Sequence, residues 1–312
     1  MKRLAIITIN YNNSEDTIEL LKTILPQLSQ KDSIYTLDNA SAEKDLKALQ
    51  NFTSQFPEQI TLISSAQNFG FAAGNNLIYS QISQNYKYAL FINNDTLASK
   101  NLLQNLIKTA DLTSAAALTG VIYHHPKTEK LWNAGGKLTF LDRKYFKQKM
   151  AEKQIASGKS FVKATFITGC LMLINTAKIQ KILIGGKLFD ERFFFGQEDF
   201  NLCVRLKRAK LKTGTALKAI LYHKVSATIN EMSAAKSNKI ILHFTMRIVD
   251  RRNLSNKFNF ILWKFIYLKA LRLNLCLNHT PKAMRKHILA QIKFFSKNHK
   301  ICKDLFEKIL NL

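Results

Sequence analysis

The first third of the chain repeats one pattern: a short continuous apolar run, then a longer segment with apolar residues three and four apart. Residues 4–9 are apolar and β-branched, as in a buried strand. Residues 15–29 then place Ile18, Leu21, Ile24, Leu25 and Leu28 at helical spacing, with Ser14 positioned to cap. The same alternation predicts strands at 33–37, 60–64 and 88–92 and helices at 42–52, 72–84 and 99–111. Residues 112–165 are less regular. Further strands are expected at 165–174 and 217–222, separated by an amphipathic helix after Glu198. Alternating strands and helices predict an α/β fold whose mainly parallel, Rossmann-like sheet carries helices on both faces.

In such sheets ligands bind beyond the carboxyl ends of the strands. Three polar clusters fall there: Asn10-Tyr11-Asn12, Asp38-Asn39 and Asn93-Asn94-Asp95. Asn and Asp also favour turns for local reasons, so it is their convergence on one sheet edge that points to a site.

Near residue 230 the composition changes. Residues 236–312 hold seventeen Lys and Arg against three Asp and Glu, with Leu, Ile, Phe and Trp263 at helical spacing. The expected division is an α/β domain over 1–230 and a basic amphipathic helical extension over 231–312. The whole chain has 312 residues and a net charge of +26. That charge implies anionic partners, or a solvated basic surface. A nucleic-acid-binding protein is the reading that charge alone suggests, but the Asn and Asp clusters at the sheet edge argue against it. No apolar stretch reaches the roughly 18 residues of a membrane span; the nearest, 258–268, is interrupted by Lys264. The N-terminal apolar run is too short for a signal peptide and reads as a first strand. Cys170, Cys203, Cys276 and Cys302 have neither metal-ligand nor redox spacing and are expected to be buried free thiols.

Taken in order, Ile7-Thr8-Ile9-Asn10-Tyr11-Asn12, Leu37-Asp38-Asn39-Ala40-Ser41, Asn68 to Asn76, Phe91-Ile92-Asn93-Asn94-Asp95-Thr96, Gly169-Cys170-Leu171, Phe189-Asp190-Glu191 to Glu198-Asp199, and His223 resemble the inverting glycosyltransferase family 2 of the GT-A fold. They are most similar to its rhamnosyltransferase-like bacterial members. The resemblance implies transfer of a sugar from a nucleotide-diphosphate donor, dTDP-rhamnose or a UDP-hexose, to a hydroxyl of a growing surface glycan or lipid-linked glycan. It implies that Asn10, Tyr11, Asp38, Asn68, Gly70, Gly74, Asn76 and Asn93 bind the nucleotide sugar. Tyr11 offers a flat face for a base and Asp38 an acceptor for a base N–H or ribose hydroxyl. Gly70 and Gly74 allow close backbone approach ahead of a helix N-terminus.

Asn93-Asn94-Asp95 stands where the family has its metal-binding acidic motif, with Asn93 in place of the first acid. The resemblance therefore assigns Mg²⁺ or Mn²⁺ to Asp95 and His223. It assigns the catalytic base to Asp199, with Glu198 and Trp132 near acceptor or donor sugar. The aromatic run Phe193-Phe194-Phe195 is suited to excluding water. Asn201 replaces a second Asp frequent in the family. Plainer readings stand beside these: a helix-dipole role for Glu198-Asp199, a turn histidine at 223, a buried Trp132 on a glycine turn. A sugar nucleotidyltransferase would want a glycine-rich loop with Arg and Lys after the first strand, where this chain has Asn10-Tyr11-Asn12-Asn13. The basic extension, with Arg251-Arg252-Asn253, is expected to rest on an anionic membrane surface. That places the protein on the cytoplasmic face of an inner membrane.

Overall fold

The computed structural model describes residues 1–224, 236–298 and 300–311. The division expected at residue 230 lies outside them. The chain forms two compact units: Met1–Thr139, Arg143–Asp190 and Glu198–Ala227 in the first, and Phe140–Asp142, Glu191–Gln197 and Thr228–Leu312 in the second. Two short segments, 140–142 and 191–197, therefore group with the C-terminal helices, which a single cut in the sequence does not anticipate.

In the first unit, β1 (Lys2–Asn10), α1 (Ser14–Ile24), β2 (Asp32–Asn39), α2 (Glu43–Thr53), β3 (Ile60–Ser65), α3 (Gly70–Ile82) and β4 (Tyr86–Ile92) follow the predicted alternation. The apolar run of β1 is buried on both faces, as central parallel strands are. Helix α1 stops short of its predicted end because Pro26 lacks an N–H and its ring clashes with a continuing helix; a 3-10 turn, Leu25–Gln27, replaces the last turns. Ser14 does not cap. Asn13 holds the cap position without a side-chain capping bond, and the Ser14 N–H donates instead to Asp45 Oδ1 of α2 at 2.8 Å.

The remaining elements are β5 (Thr96–Ala98), α4 (Leu102–Thr113), β6 (Ala117–His124), β7 (Leu131–Asn133), β8 (Gly136–Leu138), β9 (Arg143–Tyr145), α5 (Gln148–Ala156), β10 (Phe161–Lys163), β11 (Leu171–Asn175), α6 (Glu198–Arg208) and β12 (Thr213–His223). The main sheet runs β10-β12-β6-β11-β4-β1-β2-β3. The β4-β1-β2-β3 half is parallel, as is β6 beside β12. Strand β11 enters antiparallel to both β4 and β6. One apolar cluster packs each face of the sheet, Ile7, Phe91 and Phe189 in one and Leu4, Leu90 and Leu106 in the other.

Strand β6 lies in the region the pattern left irregular. Its run is interrupted by Gly120, and the fold needs that glycine: a Cβ there would meet the Ala219 carbonyl oxygen of β12 at 2.4 Å.

In the second unit, α7 (Lys236–Leu254), α8 (Lys257–Leu277), α9 (Lys282–Asn298) and α10 (Lys303–Leu310) surround Trp263, Tyr267, Leu271, Ile288 and Leu305. Trp263 Nε1 donates to the Phe140 carbonyl at 3.0 Å, and Gln197 bonds the His243 ring at 2.7 Å, which ties the two short segments to the helices. Phe193 is fully buried beside Met246, Val249 and Ile301, and the Phe194 and Phe195 rings pack on Phe306. The aromatic run is thus core of the helical unit, a role its reading as a water shield does not include. Among the described residues no helix is long and apolar enough to cross a membrane.

The Gly120→Ala variant is expected to lose about 1–3 kcal/mol by overpacking against a backbone oxygen that cannot rotate away. Urea denaturation measures it; an unchanged midpoint would show that β6 and β12 can separate freely.

Candidate active site

The carboxyl end of β1 is organised by one buried amide. Asn10 Nδ2 donates to Asp38 Oδ1 at 2.9 Å, Asp45 Oδ2 at 2.7 Å and Ser41 Oγ at 3.0 Å, while Thr17 Oγ1 donates to Asn10 Oδ1 at 2.8 Å. The register pairs Asn10 with Asp38 across β1 and β2. Asn10 is fully buried, and its side chain orders the strand ends. Asn12, at φ 50°, takes a left-handed turn that Asn tolerates. It accepts from the Ala42 N–H at 2.7 Å, and its own N–H donates to Ser41 Oγ. The turn presents Tyr11 to solvent.

Burial raises the Asp45 pKa, but bonds from Asn10, Ser14 and Ser41 outweigh it and hold the carboxyl below its ordinary value. Asp38 also accepts from the Ser41 N–H at 3.2 Å. These bonds leave carboxylate lone pairs available, although Asp38 is almost wholly buried.

Next to this, Asn39 fixes the loop before α3. Its Oδ1 accepts from the Phe69 N–H at 2.8 Å and its Nδ2 donates to Asn68 Oδ1 at 2.9 Å; Asn68 Oδ1 in turn accepts from the Gly70 N–H at 2.8 Å. Gly70, at φ 72°, makes the turn into the helix. Gly74 and Asn76 have different work from that expected. A Cβ on Gly74 would stand 2.9 Å from Ile9 Cδ1 and 3.1 Å from Leu37 Cδ2, so that glycine lets α3 lie against the sheet. Asn76 is buried and bonds both the N–H and the carbonyl of Phe189, which pins the loop segment Phe189-Asp190.

The loop after β4 meets the end of β12. Asp95 Oδ1 lies 3.1 Å from His223 Nε2, and the Trp132 ring packs edge-on to His223 with centroids 4.4 Å apart. The Lys224 N–H donates to the Asp95 carbonyl at 2.9 Å, and its ammonium pairs with Asp16 and Glu19 of α1. Asn94 Nδ2 donates to Thr17 Oγ1 at 3.0 Å.

Among the described residues no group of three or more His, Cys, Asp and Glu could hold a metal ion. Asp95 and His223 form a pair instead. Two neighbouring donors on an octahedral ion with bonds of about 2.1 Å sit about 3 Å apart, close to the 3.1 Å seen here. His223 Nδ1 is buried with no hydrogen-bond partner. Two donors could hold an ion only together with ligands from outside the protein, and they do not make a closed protein cage.

Glu198 and Asp199 open α6, where a carboxylate complements the helix dipole. Asp199 Oδ2 accepts from the Gly169 N–H at 3.3 Å, and Oδ1 lies 3.5 Å from Arg143 Nη1. Arg143 is the neighbour of Asp199 that sequence reading did not single out. It sits in a Lys-rich stretch that looks like solvated surface, yet its guanidinium lies 4.7 Å from the Phe166 ring centroid and 5.8 Å from that of Phe200. Asn201, in place of a second Asp, accepts from Arg205 Nε at 3.0 Å within the helix.

The Gly169-Cys170 backbone joins the two halves of the site. Gly169 reaches Asp199, and the Cys170 carbonyl accepts from the Asn93 N–H at 3.0 Å. Burial pushes the Cys170 thiol well up, and the charges of both Asp95 and Asp199 raise it further; the Cys203 thiol is likewise pushed up to about 12 by burial. Cys276 and Cys302, expected to be buried, are exposed, because each lies at a helix end on the surface of the helical unit.

A parallel half-sheet with its polar strand ends gathered at one edge, an Asp–His pair and an acidic helix start sit on a fold of the GT-A type. The chain belongs to glycosyl transferase family 2, whose model matches residues 5–183. It is 28% identical over 123 residues to the dTDP-rhamnosyl transferase RfbG of Shigella flexneri, a match covering 38% of this chain and 43% of that enzyme's length. Among solved structures, the mannosyltransferase PcManGT from Pyrobaculum calidifontis in complex with GDP-Man and Mn²⁺ matches with a TM-score of 0.57 at 13% identity, covering 95% of this chain and 86% of that one. S. aureus TarS 1–349 in complex with UDP-GlcNAc matches with a TM-score of 0.58 at 13% identity, over 94% and 80%. At that identity the two structures establish the shared fold.

The lowered Asp45 pKa carries a signed prediction. Stability from the ionised carboxylate is fully present above the ordinary Asp value of about 3.9 and is lost as pH falls through the lower native value. Asp45→Asn is expected to lower the melting temperature at pH 7 and to flatten its decline in acid. An acid limb parallel to that of the parent protein would mean Asp45 is not part of it.

Proposed function

We propose that this enzyme transfers a hexose, with inversion at the anomeric carbon, from a nucleotide diphosphate to a hydroxyl of a growing surface glycan or lipid-linked glycan. The donor is dTDP-rhamnose or a UDP-hexose. The observation that carries the reading is the Gly169-Cys170 bridge. It sets a carboxylate at a helix start, Asp199, beside the loop that carries Asn93 and Asp95. An inverting transfer needs a base on one side of the anomeric carbon and a stabilised leaving group on the other.

Asp199 takes the proton of the acceptor hydroxyl as its oxygen bonds to the anomeric carbon. The bond from that carbon to the diphosphate breaks, and the nucleoside diphosphate leaves. Arg143, against the other carboxylate oxygen, keeps Asp199 aimed. Tyr11 stacks the base and Asp38 accepts from the nucleoside, while the Asn68–Gly70 turn brings backbone close to it. Asp95 and His223 would hold Mg²⁺ or Mn²⁺, which neutralises the charge growing on the departing diphosphate. A dTDP sugar is favoured by the relative named for dTDP-rhamnosyl transfer; the UDP-GlcNAc and GDP-Man complexes keep other donors in view.

Two measurements test this. A ligand that binds the native state raises the melting temperature. One nucleotide among UDP, dTDP, GDP and CMP plus Mn²⁺ is expected to give a clear rise that Asp95→Ala loses; equal shifts with and without metal would remove Asp95 and His223 as ligands. Asp199→Asn is expected to keep that shift and lower transfer by about 10²–10⁴-fold. Full activity in that variant would rule out Asp199 as the base.

A further inference from the structure

Helix α8 is apolar on two sides. One stripe, Trp263, Tyr267, Leu271 and Leu275, is buried in the helical unit at successive i, i+4 positions. The opposite side is open to solvent yet carries Phe258, Ile261, Leu262, Phe265, Leu273 and Leu277, with Phe258 77%, Phe265 58% and Leu277 68% exposed. At 100° per residue, Phe258, Ile261, Leu262, Phe265 and Leu273 fall within one arc of about 120°, and Leu277 lies at its margin. Lys269 and Arg272 share the arc, and Lys269 Nζ sits 4.3 Å from the Phe265 ring centroid. Helices apolar all round are normally enclosed, and large exposed apolar patches mark binding surfaces.

The charge around the stripe selects the partner. Residues 251–302 contain twelve Lys and Arg and no Asp or Glu. A second copy of this face would bring the like charges of Lys269 and Arg272 together. A nucleic acid would use the cations but leave the Phe and Leu side chains in water. An anionic lipid bilayer satisfies both, taking apolar side chains below the headgroups and cations among the phosphates. With Lys264, Lys269 and Arg272 along its length, and no span among the described residues, the helix lies in the interface and does not cross it.

We propose that the outer face of α8 is a membrane-docking surface for anionic phospholipid. Phe258 and Phe265 insert, while Lys269 and Arg272 engage lipid phosphates. The inference goes beyond the transfer reaction and uses none of its residues.

The 312-residue protein is centrifuged with vesicles of phosphatidylcholine alone or of phosphatidylcholine mixed with phosphatidylglycerol. Binding to the anionic vesicles at low salt, weakened as salt rises, is expected. The double variant Phe258→Asp plus Phe265→Asp should lose at least about tenfold in partitioning, with its melting temperature and its nucleotide-induced thermal shift unchanged, since both side chains are exposed. Lys269→Glu plus Arg272→Glu should lose the salt-sensitive part. The proposal is overturned by a folded parent protein that stays in the supernatant, or by a Phe double variant that binds like the parent. A concentration-dependent dimer in sedimentation velocity that the Phe substitutions dissolve would equally overturn it, by making the face a self-association surface. Vesicle binding needs neither donor nor metal, so its failure leaves the transfer reading intact, and the reverse holds too.

Discussion

The architecture of this site depends on a single buried side chain with too many neighbours to move. Asn10 has two amide hydrogens and three acceptors around them, from β2, the following turn and α2. Its carbonyl is taken by Thr17 of α1. A buried polar group without such partners costs a few kcal/mol; here the partners are drawn from four elements, so the requirement that the amide be satisfied becomes a requirement that four elements meet. Tyr11 and Asn12 inherit their positions from it. Thr17 then extends the network to Asn94, and Lys224 closes it from β12 onto Asp16 and Glu19. The strand ends are therefore joined in one connected polar lattice.

The parallel half of the sheet was legible because its strands are continuous apolar runs, and burial on both faces leaves no other way to use them. Strand β6 was not, because its pairing with β12 demands a glycine where a propensity reading sees a break. The convergence of Asn10, Asp38 and Asp95 followed from strand-end logic and resemblance together. Their division of labour did not. Sequence places Asn10, Gly74 and Asn76 among ligand contacts, whereas the structure gives their side chains, or lack of one, to internal hydrogen bonds and helix–sheet packing. Arg143 shows the opposite error: nothing in a row of cations distinguishes the one that turns inward until Phe166, Phe200 and Asp199 are brought around it.

The same charge also means different things in the two units. In the first, cations such as Arg143 and Lys224 are matched by carboxylates and aromatic faces. In the second, the residues from 251 to 302 carry cations without any acid in the sequence between them. A net charge read over the whole chain blurs a local, directed feature into a global one.

Strand β12 has a consequence for how the molecule is made. It brings His223 to Asp95 across 128 residues of sequence, whereas the Asn10–Asp38 contact spans 28. Long loops cost more entropy to close, and long-range pairings form late. During synthesis the Asn10 cluster has its partners while β12 is still unmade, and the Asp95–His223 pair does not exist until that strand arrives. A chain terminated before β12 can thus order at most the strand ends around Asn10, and it lacks the Asp95–His223 contact altogether.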